Sequence, residues 1–134
     1  MPRYMLDTNI CIYIRQKKPQ AVLRRFEKLA AGDAGVSVVS YGELLYGVQK
    51  SADSKAGLRQ LAELTSVLPV LPLPVGSGET CGAIRALLER RGESIGNTDL
   101  WIAAHAKTAS LTLVTNSESE FKRVPGLRVE NWAA

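Results

Sequence analysis

The chain has 134 residues, of which 46% are hydrophobic and 22% charged, a balance that excludes a disordered, fibrous or membrane-spanning chain and fits an ordinary soluble globular protein. The length suits one domain over residues 1–134, enough to bury about two thirds of the surface of the unfolded chain. A net charge of +4 is modest. Its basic residues nevertheless come in pairs, Lys17-Lys18, Arg24-Arg25, Arg90-Arg91 and Lys122-Arg123, which hints at a polyanionic partner. Cys11 and Cys81 form no Cys-x-x-Cys pair and read as small buried hydrophobes. With no basic segment leading into an apolar one at the N-terminus, a cytoplasmic location is expected.

In chain order, Tyr4-Met5-Leu6 is a short buried strand that stops at Asp7, with Thr8 and Asn9 able to cap a helix from Ile10 to Arg15. A second helix is expected from Pro19 to about Ala30, its apolar face made by Val22, Leu23, Phe26 and Leu29. Val36 to Val39 reads as a second buried strand. Ser40-Tyr41-Gly42-Glu43 then has the Ser-x-x-Glu form of a capping box opening another helix, which gives Glu43 a purely structural alternative role. Residues 54 to 67 keep helical period, and Pro69, Pro72 and Pro74 punctuate an edge strand at Val70-Leu71. A helix from about Gly78 to Arg91 follows, stopped by Gly92. Asn97 or Thr98 can cap the next one, Leu100 to about Ala109, which places Asp99 in its first turn. His105, alone among alanines, reads as a packing or hydrogen-bonding residue. Leu111 to Val114 is a strand ending in a polar, acid-bearing turn, Leu127 to Val129 closes the sheet, and Trp132 is a candidate anchor. Alternating strands and helices imply an α/β fold with a mostly parallel sheet covered on both faces.

Asp7, Glu43 and Asp99 each stand at a strand end or near a helix start, and Glu120 follows another strand end. Ligands of open α/β sheets bind outside the carboxyl ends of the strands, and all four acids can converge on that rim. Two unit charges about 4 Å apart repel by roughly 4 kcal/mol at an effective dielectric of about 20, so such a cluster calls for a cation or a shared proton. Carboxylates without His or Cys beside them are hard ligands suited to Mg²⁺ or Mn²⁺. Phosphoryl transfer is the chemistry that uses such ions.

The combination of Met5-Leu6-Asp7-Thr8-Asn9, Glu43-Leu44-Leu45-Tyr46-Gly47-Val48, Ile95-Gly96-Asn97-Thr98-Asp99-Leu100-Trp101, Leu113-Val114-Thr115-Asn116 and Val129-Glu130-Asn131-Trp132 resembles the PIN-domain toxins of the VapC family over nearly the whole chain. The resemblance implies a PIN-like α/β/α sandwich and a Mg²⁺- or Mn²⁺-dependent endoribonuclease, with Asp7, Glu43 and Asp99 matching the metal-binding acids. It further implies Glu120 rather than Glu118 as a fourth acid, and Asn9, Thr115 and Asn116 as supporting polar groups. Ser117 stands where many relatives carry an acid, and Ser119 where the nearest branch carries an arginine. By the same resemblance the substrate is a structured RNA, a tRNA and foremost initiator tRNA cut in its anticodon loop. The implied partners are a VapB-type antitoxin and a second copy of the chain in a homodimer.

Two other readings compete. A phosphatase of the haloacid dehalogenase type also begins with an aspartate after a strand, but needs Asp-x-Asp, and Asn9 stands at the second place. A catalytically silent PIN-like module that only binds RNA or protein is the other.

Overall fold

The computed structural model describes residues 2–133. Strand β1, Tyr4–Leu6, lies at the centre of a five-stranded sheet of order β3-β2-β1-β4-β5, with β2 at Ala34–Ser37, β3 at Val70–Leu71, β4 at Thr112–Val114 and β5 at Val129–Glu130. Every neighbouring pair is parallel, with Met5 opposite both Gly35 and Leu113, Val36 opposite Val70, and Leu113 opposite Val129. The two-residue period of a strand divides its apolar side chains between two cores. Met5 and Leu113 face one core, and Leu6 and Val114 the other.

Helices α1 (Thr8–Gln16), α2 (Gln20–Glu27), α3 (Val38–Gln49) and α4 (Ser54–Val67) supply the Leu6 side through Ile10, Ile14, Val22, Leu44, Leu61 and Leu64. Helices α5 (Ser77–Arg90), α6 (Asn97–Thr108) and α7 (Glu118–Phe121) supply the Met5 side through Ile84, Leu88, Leu100, Ile102 and Phe121. The result is the expected α/β/α sandwich. Met5, Leu6, Leu113 and Val114 are all fully buried, and truncating a leucine among them to alanine costs about 2–5 kcal/mol. Gly35 admits Leu71 across the sheet, because a Cβ there would lie 2.7 Å from the Leu71 side chain. Trp132 is 2% exposed, meets Tyr4 edge-on at 5.4 Å and donates from Nε1 to Glu130 at 3.0 Å, so it does anchor the C-terminal segment.

Several boundaries differ from the sequence expectation. The second strand is Ala34–Ser37 rather than Val36–Val39, because Ser37 caps α3 by accepting the Val39 N–H at 3.1 Å. Val38 and Val39 therefore enter the helix despite their β-branching, and Val38 is 41% exposed. The second helix stops at Glu27 instead of near Ala30, and the last strand is Val129–Glu130 instead of Leu127–Val129. Helix α6 starts at Asn97 behind Gly96, which has no side chain to cap with, so neither Asn97 nor Thr98 is the N-cap.

Candidate active site

The parallel sheet brings the ends of β1 and β4 together. The Asp7 N–H donates to the Val114 carbonyl at 2.9 Å, placing Asp7 beside Thr115, the residue that follows β4. Asp7 is 6% exposed and both its oxygens are engaged. Oδ1 accepts the Thr8 N–H at 2.7 Å, which makes Asp7 itself the N-cap of α1, and Oδ2 accepts the Thr115 hydroxyl at 2.8 Å. The sequence expectation that Thr8 and Asn9 cap a helix from Ile10 is thereby corrected. Burial pushes the Asp7 carboxyl above its ordinary pKa, the two hydrogen bonds pull it down, and the charges of Glu43 and Glu120 push it up again.

Glu43 is not part of a capping box. Because Ser37 is the cap, Ser40 lies within α3, buried, with its hydroxyl unpartnered. The Glu43 carboxylate is thus free of the helix terminus and accepts the Thr8 hydroxyl at 3.1 Å. Asp99 stands in the first turn of α6 with its Oδ2 3.9 Å from where a Gly96 Cβ would be, turned back over the helix start. Its pKa is raised to about 6, by burial first, then by the charges of Asp7 and Glu120, a hydrogen bond with Glu120 and the charge of Glu43. Glu118 behaves differently, pairing with Lys122 at 3.5 Å and accepting from Asn131 at 3.3 Å.

Asp7, Glu43, Asp99 and Glu120 thus sense one another across one rim, and among the described residues none of them is in an ion pair with a Lys, Arg or His. No three His, Cys, Asp or Glu groups among the described residues sit close enough to form a finished coordination shell. The donor set is nonetheless of hard oxygens alone, which suits a small divalent cation such as Mg²⁺ or Mn²⁺ and disfavours zinc.

A polar chain supports the rim. Thr115 Oγ1 accepts the Ser117 N–H at 2.9 Å, Asn9 Nδ2 reaches Asn116 Oδ1 at 3.5 Å, and Asn116 Nδ2 donates to the Tyr13 hydroxyl at 2.6 Å. Tyr13 was not among the residues that the sequence points to; only its position one turn beyond Asn9 on α1 could have signalled it. His105 is buried, hydrogen-bonded through Nδ1 to Ser37 Oγ at 2.8 Å, and lowered in pKa by burial. It ties α6 to the start of α3, as its packing role requires.

The basic pairs divide. Arg25 binds Glu130 at 3.0 Å and lies 5.2 Å from the Trp132 ring centroid, while Arg123 donates to the Glu93 and Ser94 carbonyls. Both are structural contacts. Lys17 and Lys18 are exposed after α1, and Arg15 lines a cleft of about 380 Å³ with Thr8, Ile12, Glu43, Leu44 and Val48.

The PIN domain family model matches residues 4–127. The tRNA(fMet)-specific endonuclease VapC of Shigella flexneri is 41% identical over 133 residues, covering 99% of this chain and 100% of its own. Among solved structures, DNA-bound VapBC from Salmonella typhimurium matches at a TM-score of 0.91 and 38% identity, covering 98% of this chain and 99% of that one. VapBC2 from Rickettsia felis bound to a promoter DNA fragment matches at 0.90 and 40%, covering 96% and 98%.

Proposed function

The chain belongs to the VapC group of the PIN-domain family, and on that premise we propose that Asp7, Glu43, Asp99 and Glu120 are the acids with which it cleaves RNA as an endoribonuclease toxin. The observation that carries this reading is the convergence of the acids at the ends of β1 and β4, where Thr8 bonds both Asp7 and Glu43 and Thr115 bonds Asp7, with Asp99 raised to about 6 by burial and by the charges of Asp7, Glu120 and Glu43. Such mutual repulsion without a nearby base is a liability for a structural site and an asset for gathering a cation.

Asp7, Glu43 and Asp99 would hold Mg²⁺ or Mn²⁺, with Glu120 beside them. A divalent cation there supplies two effects, lowering the pKa of a water and neutralising charge on the phosphate and leaving oxygen. The protein does the positioning. The Thr8 amide and the Thr115 hydroxyl fix both Asp7 oxygens, and the Thr8 hydroxyl fixes Glu43. Glu120 would take a proton from an attacking water.

The substrate is a structured RNA, with tRNA and in particular the anticodon loop of initiator tRNA favoured. A shallow rim reads unstacked nucleotides and loop shape better than a duplex. The partner is a VapB-type antitoxin, a segment of which would lie in the cleft beside Thr8 and Glu43, whose apolar wall of Ile12, Leu44 and Val48 suits a peptide. A homodimer, a single domain over 1–134 and a cytoplasmic site of action complete the reading. Among the described residues no helix is long and apolar enough to cross a membrane.

Incubation of the purified protein with total RNA, with Mg²⁺ or Mn²⁺ and with EDTA, tests it. Discrete fragments that vanish with chelator are expected. Intact RNA under every metal condition would leave the silent binding module standing.

A further inference from the structure

A second cavity, of about 320 Å³, opens beside the first turn of α6. Leu88 and Leu100, 0% and 4% exposed, form its floor with Ile95, and Arg85, Ser94 and Asn97 stand at its rim. Asn97 and Leu100 flank Asp99 in sequence, so the cavity opens at the same first turn of α6 that carries Asp99, on a neighbouring face of the helix. Its lip, the loop over 91–96, is held in place by Arg123, whose Nη1 donates to the Glu93 and Ser94 carbonyls at 3.4 and 3.1 Å. Arg123 is the second residue beyond α7, the element that carries Glu120. The lip and the fourth acid are therefore parts of one tied unit.

We propose that this cavity receives one unstacked nucleobase of the RNA, beside the nucleotide that is cut, and that Asn97 reads its edge. The inference rests on the ribonuclease reading above. Its first support is charge. Arg85 pairs with Glu89 at 3.4 Å, and Glu89 also lines the cavity, so the site is close to neutral and suits a base better than a phosphate. The second is shape, since about 320 Å³ lies at the small end of ligand pockets and accommodates a single flat ring system. The third is chemistry. RNA-binding sites hold splayed bases against guanidinium planes and apolar side chains and hydrogen-bond their edges; Arg85 offers the plane, and Leu88 and Leu100 the apolar face. Gly96 occupies the N-cap position of α6, which leaves the carboxamide of Asn97 without a capping duty. A carboxamide presents one donor and one acceptor side by side, the complement of the N6 and N7 edge of adenine. Adenine is accordingly the preferred base.

The test is a binding cycle on the full-length Asp99→Asn protein with Mg²⁺, so that affinity is read without cleavage. The probes are a labelled RNA hairpin carrying the initiator tRNA anticodon loop and copies with an abasic site at each loop position in turn. Asn97→Ala should bind the intact hairpin about tenfold more weakly, within the range of one bidentate base contact. Against the copy abasic at one particular position the parent and Asn97→Ala should bind equally. Ser94→Trp, which fills the cavity from an exposed position, should reproduce the loss. Additive losses at every position, or no loss from either substitution, overturn the base pocket. A loss of affinity for the antitoxin with none for RNA overturns it too, and assigns the cavity to the protein partner. Cleavage of total RNA by the parent chain is scored separately. Its absence removes the ribonuclease reading, whereas normal cleavage with no coupling in the cycle removes only the pocket.

Discussion

Thr115 holds Asp7 from the neighbouring strand end, donating its hydroxyl to Asp7 Oδ2 at 2.8 Å while its own Oγ1 accepts the Ser117 N–H at 2.9 Å. With its acceptor side taken by Ser117, the hydroxyl keeps its proton directed at Asp7. A hydrogen bond to a charged group contributes about 1.5–3 kcal/mol. Thr115→Val should therefore lower stability by about that much at neutral pH and reduce RNA cleavage at least about tenfold. Losing the donor also raises the Asp7 pKa further, so the acid limb of the rate profile should move to higher pH. Thr115→Ser should restore all three, and thermal melts with a pH–rate series check it.

Asp99→Asn should abolish cleavage and stabilise the metal-free protein. The parent holds this carboxylate ionised at pH 7 against burial and three like charges. Relieving that is worth about 1 kcal/mol once solvent screening of a half-buried group is discounted, or about 3–5 °C in melting temperature for a chain of this size. Asp7→Asn gains less, since its amide nitrogen cannot accept the Thr115 hydroxyl. Calorimetry of the three proteins in EDTA should rank Asp99→Asn first, and adding Mg²⁺ should raise the parent's melting temperature more than that of either variant.

Much of this site was legible in the sequence, because strand ends are marked by an abrupt change from apolar to polar residues. Leu6 to Asp7 and Val114 to Thr115 show that change, and the parallel pairing of β1 with β4 makes the two ends neighbours. The helix starts were less legible. Ser37 and Ser40 offer the same capping chemistry three residues apart, and burial of Val36 and Ser37 in the sheet decides between them. That choice reverses the apparent role of Glu43, from a capping residue to a free carboxylate. Long-range side-chain partners such as Tyr13 with Asn116, or Arg25 with Glu130, leave no local pattern at all.

Acid should stabilise the metal-free protein through Asp99. Its folded pKa of about 6 lies above the ordinary value of 3.8, so between about 3.8 and 6 the folded state binds more protons than the unfolded one. This contribution is present at low pH and is lost as pH rises through about 6. Activity runs the other way, rising through the same range as the carboxylate ionises. Because the cation competes with the proton, raising Mg²⁺ should shift the acid limb to lower pH. A limb that does not move with Mg²⁺ would detach Asp99 from the metal.

Arg25→Ala should lower stability by about 1 kcal/mol, through the loss of its ion pair with Glu130 and its place over Trp132. RNA affinity and its salt dependence should stay unchanged. Arg15→Ala, at the cleft beside Glu43, should instead reduce the slope of log affinity against log salt by about 1, as expected of one lost phosphate contact. Filter binding over a range of salt concentrations separates the two arginines.

End mapping of the RNA fragments tests the central claim most directly. In-line attack by a water activated at the carboxylate rim leaves a 5′-phosphate and a 3′-hydroxyl, and fragments bearing those ends, formed with Mg²⁺ or Mn²⁺ and absent with EDTA, are the expected result. Fragments ending in a 2′,3′-cyclic phosphate with a 5′-hydroxyl would show attack by the RNA's own 2′-hydroxyl, and would contradict a mechanism carried by Asp7, Glu43, Asp99 and Glu120.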